Sequence, residues 1–409
     1  MSKITNLGGV IMTKKIYWEN PYLYEIDALV EEKKIKDNKF YVKLNRTIFY
    51  PNMSGGQPGD KGTIDGIKVL DTYEEGNKII HVLEKNISQL KVKLKIDSTV
   101  RFDLMQQHTG QHLLSGVFYN LYNAETVGFH LGEEYVTIDI TLDEISIDEI
   151  KKVEQMCNKI IQSNFKVKSY FVTNDNVHLI PVRKPPTVNE DIRIIEIEGF
   201  DYSPCGGTHV SYTGEIGLIK IRKWEKYKGN IRIEFLCGNR AINDYTWKSD
   251  YIKTMANMLS SKDTDVLSKF EKIYQEKISL EKEIVSIKND LMLFRSSILL
   301  SNGYSINNFN IIRENFINES FKDIGLLNSY ICNNNSNLVT IFTLTSDKGN
   351  QFIISKSRDL EIDLLKLYKD LSSKISVKGG GNNNTIQGNV PPENLSELID
   401  FVNYWLSTS

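Results

Sequence analysis

The chain is short of cysteine, of net charge and of long apolar runs, and each shortage excludes something. Its four cysteines, Cys157, Cys205, Cys237 and Cys332, stand far apart in 409 residues and form no disulfide framework. With one of them committed to a ligand an odd number remains, which argues for a reducing compartment; a cytoplasmic location is expected. No segment approaches a membrane span. Residues 1–11, ahead of Met12, lack the hydrophobic core of an export signal and read as an upstream start or an extension. A formal net charge of −2 gives no bulk attraction to nucleic acid. Any RNA contact must then come from clustered bases such as Arg222, Lys223, Lys226 and Lys228, a stretch that reads first as a solvated strand edge or turn. What is present, 40% hydrophobic and 25% charged residues, is ordinary for a soluble globular protein, and the length predicts two to four structural units.

Histidine is also scarce, six in all, yet three histidines and one cysteine fall into two compact patterns. Within 106–115, His108 and His112 are four residues apart; on a helix they share a face, about 6 Å apart along the axis. Within 203–210, Cys205 and His209 bracket Gly206 and Gly207, which allow a tight loop to turn both side chains toward one point. By chance the first spacing is expected roughly 0.09 times in this composition and the second roughly 0.06 times, so the combination is far more specific than either alone. Imidazoles with a thiolate form a borderline-soft set that suits Zn²⁺ better than Mg²⁺ or Ca²⁺. All four together would complete a tetrahedron, the habit of a structural site; catalysis would need a fifth ligand or a replaceable one.

A third stretch, 49–62, carries Phe49, Tyr50, Pro51, Ser54, Gly55, Gly56, Gln57, Pro58 and Gly59. The three stretches, in this order across 49–210, resemble the editing domain of alanyl-tRNA synthetases and, more closely, the free-standing alanyl-tRNA editing proteins called AlaX. The resemblance implies a zinc-dependent hydrolase that deacylates misacylated tRNA(Ala), chiefly the seryl ester and second the glycyl ester. It implies Zn²⁺ on His108, His112, Cys205 and His209, with Ser54 and Gln57 as catalytic-site residues offering polar groups to the substrate. No carboxylate near the motifs presents itself as a general base, so the RNA's own terminal hydroxyl is the expected proton acceptor. Two rival readings stand beside this one. One is a tRNA-binding protein whose zinc is structural; the other edits a different ester such as seryl-tRNA(Thr), because threonyl-tRNA editing domains share the metal motif. About 100 residues ahead of the histidine motif, without a nucleotide-binding motif, exclude a synthetase catalytic domain there.

The expected fold class is α+β and multidomain. Residues 13–98 show short strands (39–44, 66–71, 78–83) between Asp, Asn and Gly turns and read as a small β-barrel, as the resemblance also implies. Residues 99–240 form the zinc-binding α+β editing domain. There Asp103 is placed to cap the histidine helix, 135–140 alternates as a strand, and 147–164 is an amphipathic helix burying Ile147, Ile150, Val153, Cys157, Ile160 and Ile161. Strand 192–197 leads to the Cys205 loop, and 217–224 with 231–236 form a hairpin about Gly229. Cys237 reads as structural, and His130 as a pocket or a structural residue. Residues 241–300 form a helical segment whose apolar positions Val266, Phe270, Ile273, Leu280, Ile284, Ile287, Leu291, Phe294 and Ile298 keep a heptad seam broken only by Lys277. The seam predicts a coiled coil, satisfied by the helix before it or by a homodimer through 266–298. Residues 301–409 form a C-terminal α/β unit with strands 338–344 and 351–355, a turn at 347–350, helix 359–372 and a last helix from 394. Its glycine-rich loop, Lys378, Gly379, Gly380 and Gly381, resembles the C-terminal domain of alanyl-tRNA synthetases, which implies tRNA binding. Asn382 and Asn384 occupy the places of that motif's arginine and aspartate.

Overall fold

The computed structural model describes residues 12–185, 192–347 and 349–408. The expected extension 1–11 and Lys348 of the expected turn lie outside the described residues. The chain divides into two compact units at the Met255–Ala256 bond, within the helix Gly238–Met258. Among the described residues no helix is long and apolar enough to cross a membrane.

In the first unit six antiparallel strands close into a barrel. The long strand Glu25–Lys36 is shared: its first half pairs with Lys91–Ile96 and its second half with Lys39–Leu44. A register shift between Val30 and Glu32 lets it bend from one neighbour to the other. Around the ring, Lys39–Leu44 is followed by Lys78–Leu83, Ile67–Glu75 and Gly62–Ile64, which returns to Lys91–Ile96. Lys91–Ile96 shows why the strands form: Val92, Leu94 and Ile96 are buried while the lysines between them face water. Asp37–Asn38 and Asp65–Gly66 make two-residue turns with positive φ, as right-handed strand twist favours.

The histidine helix, Ser98–Tyr122, starts five residues before Asp103. Asp97 is its cap, accepting from the N–H groups of Thr99 and Val100. Asp103 lies inside the helix, bound to Arg240 and Gln107, because the chain is already helical on leaving the barrel. Arg101 in the first turns is fully buried and ties the helix to the barrel loops. Its guanidinium holds Asp60 in a two-pronged pair and donates to the carbonyls of Pro21 (2.8 Å) and Ile48 (2.6 Å). Asp60 also accepts from Tyr50 N–H, so the pair fixes both ends of the 50–60 loop. Removing one partner would strand a buried charge, at a cost of roughly 3–5 kcal/mol.

Leu113, Leu114, Val117 and Phe118 pack the helix onto a four-stranded sheet, in order Ile219–Tyr227, Asn230–Cys237, Val136–Ile140, Thr126–Leu131. The expected hairpin is there, turning at Lys228–Gly229, both with positive φ. The basic stretch around Lys223 is part of its first strand. The helix Ile147–Ser163 carries a capping box of Ser146 and Glu149 and buries Ile150, Val153, Cys157, Ile160 and Ile161. Ile147, expected in the buried stripe, is 57% exposed; it is the first helical residue, directly after the Ser146 cap. A three-stranded sheet of Val167–Val172, Ile192–Ile197 and Asp201–Pro204 leads to the cysteine loop.

The first long element of the second unit is the helix Val266–Ser301. Its sheet runs in the order Tyr304–Ile306, Phe309–Ile317, Leu338–Ser346, Gly349–Lys356, Thr385–Val390, Lys378–Gly381. Only Phe309–Ile317 and Leu338–Ser346 are parallel, joined through the helix Phe321–Asn334. Helices Leu364–Lys374 and Leu395–Thr408 form one core with the sheet; Phe321–Asn334 and Leu299 of the long helix form another. Helix 359–372 was expected to begin at Asp359; it begins at Leu364, where Asp363 caps Leu365 and Lys366. The glycine-rich segment is not a loop before a helix. It is an edge strand: a Cβ on Gly379 or Gly381 would lie 2.1 Å from a carbonyl oxygen of the facing strand. Asn382 closes the turn, its side chain accepting from Asn384 and Thr385 N–H.

The barrel contains one buried histidine outside the motifs. His81 donates from Nδ1 to the Val42 carbonyl and accepts at Nε2 from Thr47, and burial lowers its pKa to about 4. The neutral ring is favoured in the fold, whereas the unfolded chain binds the proton below about 6.5. His81 therefore contributes stability that is present above pH 6.5 and lost as pH falls toward 4. Denaturant titrations across this range should show the wild type losing on the order of 3 kcal/mol more than His81→Gln. Parallel pH profiles for the two proteins would contradict the assignment.

Candidate metal centre

Each donor is positioned by a close approach that its neighbours permit. Gly110, between the two helix histidines, lets the helix lie against the sheet: a Cβ there would sit 2.2 Å from Cys237 Sγ. Gln107 locks this packing by accepting from Cys237 N–H and donating to its carbonyl, both at 2.9 Å. Cys237 thus has the structural role expected of it. In the cysteine loop, a Cβ on Gly207 would fall 2.2 Å from the His108 ring, so the loop passes directly over that imidazole. Arg193 donates to the carbonyls of Cys205 (2.9 Å) and Gly207 (2.8 Å), and Trp18 donates to that of Gly206 (2.7 Å).

His108, His112, Cys205 and His209 come together, their nearest donor atoms all within 4.8 Å of one another. Cys205 Sγ is 3.4 Å from Nε2 of both His108 and His209. Each imidazole has a different neighbour at Nδ1. For His108 it is Gln57 Oε1 at 2.9 Å, and Thr208 N–H donates to the same oxygen at 3.0 Å, which fixes the amide's orientation. For His209 it is Thr109 Oγ1 at 3.2 Å. For His112 it is Asp201 Oδ2, at 3.9 Å too far for a hydrogen bond.

His112 tests whether a metal fits. Both of its ring nitrogens are buried without a hydrogen-bond partner among the described residues, which is costly for a polar ring. Burial lowers the pKa of all three histidines, that of His112 to about 3, with Arg183 and Arg193 adding to its effect. The rings are therefore neutral, as a metal ligand must be. Burial raises the Cys205 thiol, opposed by Gly207 N–H and by Arg193. Three imidazole nitrogens and the Cys205 sulfur, whose proton a metal would displace on binding, make a set that fits zinc. Cys157, Cys237 and Cys332 are buried elsewhere.

The other expected residues fall in different places. Gln57 is fully buried, bonded to His108 and, through Nε2, to Thr208 Oγ1 at 2.9 Å. Ser54 is partly exposed and bridges to Gln57 across a tight turn. Gly56 of that turn approaches Phe129, which stacks on His108 with centroids 5.4 Å apart. His130 is exposed on the outer face of the sheet, beside Thr137 and Glu234, away from the metal donors. Lys378, Gly379, Gly380 and Gly381 line a groove of about 490 Å³ in the second unit, with Phe321 and Gln351.

Four residues at the site escaped the sequence reading. Asp201, 4% exposed, overturns the expectation that no carboxylate lies near the motifs; it is held by Arg183 and Ser203, both at 2.8 Å. Thr109 stood inside the motif and Asp201 four residues before Cys205, so both were within view. Arg193 interrupts the apolar strand Ile192–Ile197, a signal in itself. Nothing in the sequence marked Trp18.

The family pattern described as "Threonyl and Alanyl tRNA synthetase second additional domain" matches residues 192–234. The chain is 33% identical over 401 residues to alanyl-tRNA editing protein AlaX-L of Pyrococcus horikoshii, covering 95% of this chain and 97% of that one. It is 30% identical to alanyl-tRNA editing protein Aarsd1-B of Xenopus laevis over 63% of this chain and 64% of that one. Alanine–tRNA ligase of Ignicoccus hospitalis is 27% identical over 92% of this chain, which spans 41% of the ligase. Among solved structures, the C-Ala domain of Aquifex aeolicus alanyl-tRNA synthetase is 15% identical, with a TM-score of 0.24 over 26% of this chain and 97% of that one. Similarity along nearly the whole of both chains, with all four metal-type donors gathered at one point, makes this protein a member of the AlaX family of alanyl-tRNA editing proteins, of the longer type.

Proposed function

We propose that the chain is a zinc-dependent hydrolase that deacylates misacylated tRNA(Ala), chiefly seryl-tRNA(Ala) and second the glycyl ester. The observation that carries this reading is the convergence of four donors, three of them buried, with a permeable side at the fourth. The three histidines are buried, whereas Cys205 and Gly206 are partly exposed, and a Cβ on Gly206 would meet nothing within 4 Å. An RNA 3′ end can approach over that side.

Zinc on His108, His112, Cys205 and His209 would supply a Lewis acid able to activate water or polarise the ester carbonyl. The chain's own residues do the rest. Gln57 and Thr109 hold His108 and His209 with Nε2 forward, and Asp201 stands ready to do so for His112. Gln57 is then a positioning residue acting through His108, and Ser54 on the same turn is the group that meets the serine hydroxyl. A site built to hydrogen-bond a hydroxyl can reject the analogue lacking it by about 10⁴–10⁵, whereas one methylene gives roughly 10–200-fold. Lys378 and the glycine edge strand would hold the RNA backbone. The seam of the long helix, whose side chains from Phe270 to Ile298 are 44–64% exposed, would be covered by a second copy.

Elemental analysis of the purified protein should find one zinc per chain, and Cys205→Ala should lose it. Equal zinc in both would remove Cys205 from the ligand set; loss of zinc together with the fold would mark a structural site.

In a deacylation panel, seryl-tRNA(Ala) should be hydrolysed and alanyl-tRNA(Ala) spared. Ser54→Ala should erode the discrimination at full zinc content, while Gln57→Ala should lower zinc affinity by about 10–100-fold. Equal rates on both esters would refute the selectivity, and preference for seryl-tRNA(Thr) in the same panel would move the substrate. No hydrolysis by a folded, zinc-loaded chain would leave a tRNA-binding protein.

Light scattering should report a dimer that Ile284→Glu with Leu291→Glu converts to a monomer. A monomeric wild type would mean that the seam has another occupant.

A further inference from the structure

The permeable side of the metal centre has an aromatic rim. Trp18, in the short helix Ile16–Glu19, reaches the cysteine loop through its bond to Gly206 O, one residue from the ligand Cys205. Its indole is held on several sides: Tyr17 stands edge-on at 5.7 Å, Lys15 Nζ lies 4.2 Å from the ring centroid, and the Arg193 guanidinium lies at 5.9 Å. Against its remaining side stands Phe171, with centroids 5.6 Å apart and planes at 63°. Phe171 lies on the strand Val167–Val172, directly opposite Arg193, and is 52% exposed. A large aromatic ring is thus held out to solvent by a rigid, cation-backed indole beside the open face of Gly206. Phe171 is not among the residues of the unit's buried core clusters.

We propose that Phe171, buttressed by Trp18, is a stacking platform for the terminal nucleobase of the RNA 3′ end. The assignment rests on the editing reading, because that reading places an ester-bearing ribose over Gly206, next to this ring. A base attached to that ribose must leave the pocket at its rim, and a flat π-face is what an unpaired base stacks on. The platform carries no hydrogen-bond code of its own, and it needs none, because the terminal base does not vary among tRNAs. The held geometry of Trp18 means that little side-chain order is lost when the base arrives.

The test compares two RNA hairpins with the tRNA(Ala) acceptor stem, one ending in adenosine and one in an abasic residue, titrated against the full zinc-loaded chain. The wild type should bind the adenosine-ended hairpin more tightly by roughly 5- to 150-fold. Phe171→Ala should bring that ratio close to one with zinc content unchanged, and Phe171→Trp should restore it. A wild-type ratio of one overturns the platform, and so does a ratio that survives Phe171→Ala. A wild-type ratio of one with self-association that depends on Phe171 would mark the rim as a contact between copies. Because the readout is equilibrium binding of uncharged RNA, a chain that hydrolyses no ester can still show the ratio. Failure of the reaction and failure of the platform are therefore separable.

Discussion

Three imidazoles and a thiol packed together out of water are a liability unless something joins them. Each ring is neutral because burial forbids the charge, and among the described residues His112 finds no hydrogen-bond partner for either nitrogen. A core histidine placed for stability alone would be satisfied as His81 is, with a donor and an acceptor in reach. The cluster instead spends its neighbours on orientation: an amide oxygen for His108, a hydroxyl for His209, and a carboxylate just short of bonding for His112. Such outer partners fix the tautomer and aim the free nitrogen, and they set ligand basicity.

Much of the first unit follows from bringing these groups together. The ligands come from the helix and the cysteine loop, and the barrel contributes none of them. What the barrel contributes is Gln57, carried on a loop that the buried Arg101–Asp60 pair clamps to the same helix that bears His108 and His112. Barrel and helix are therefore one structure as far as the site is concerned. Gly110 and Gly207 act alongside the clamp, since each removes a side chain where helix, sheet and loop must nearly touch.

The second unit uses glycine for a different purpose. Gly379 and Gly381 face carbonyl oxygens of the neighbouring strand at distances no Cβ tolerates, so they are required by strand pairing before any ligand is considered. Asn382 has a comparable local duty in closing the turn. A glycine-rich motif can thus be dictated by backbone geometry while its exposed edge stays available to a partner. The long helix shows the opposite: its seam residues from Phe270 to Ile298 are 44–64% exposed, and among the described residues the second unit's cores take in Leu299 near its end rather than the seam.

The metal donors were legible in the sequence because their spacings are local: four residues on a helix, and four across a glycine turn, place side chains together whatever the rest of the chain does. The same holds for the barrel strands, the Gly229 hairpin and the buried stripe of Ile147–Ser163, which declare themselves by period and turn residues. Helix starts were less legible. Asp97, Asp103, Asp359 and Asp363 are chemically alike, and only the hydrogen bonds made by each carboxylate distinguish a cap from a residue along the way. Contacts between remote segments could not be read at all. The approach of Gln57 to His108, Arg193 to the cysteine loop, Asp201 to His112 and Trp18 to Gly206 depends on how barrel, helix and sheets pack. The sequence by itself determined which atoms could hold a metal, since ligand chemistry belongs to residue type and short spacing. Only the tertiary structure decided which polar groups orient them and which side stays open, because those follow from long-range packing that no local pattern encodes.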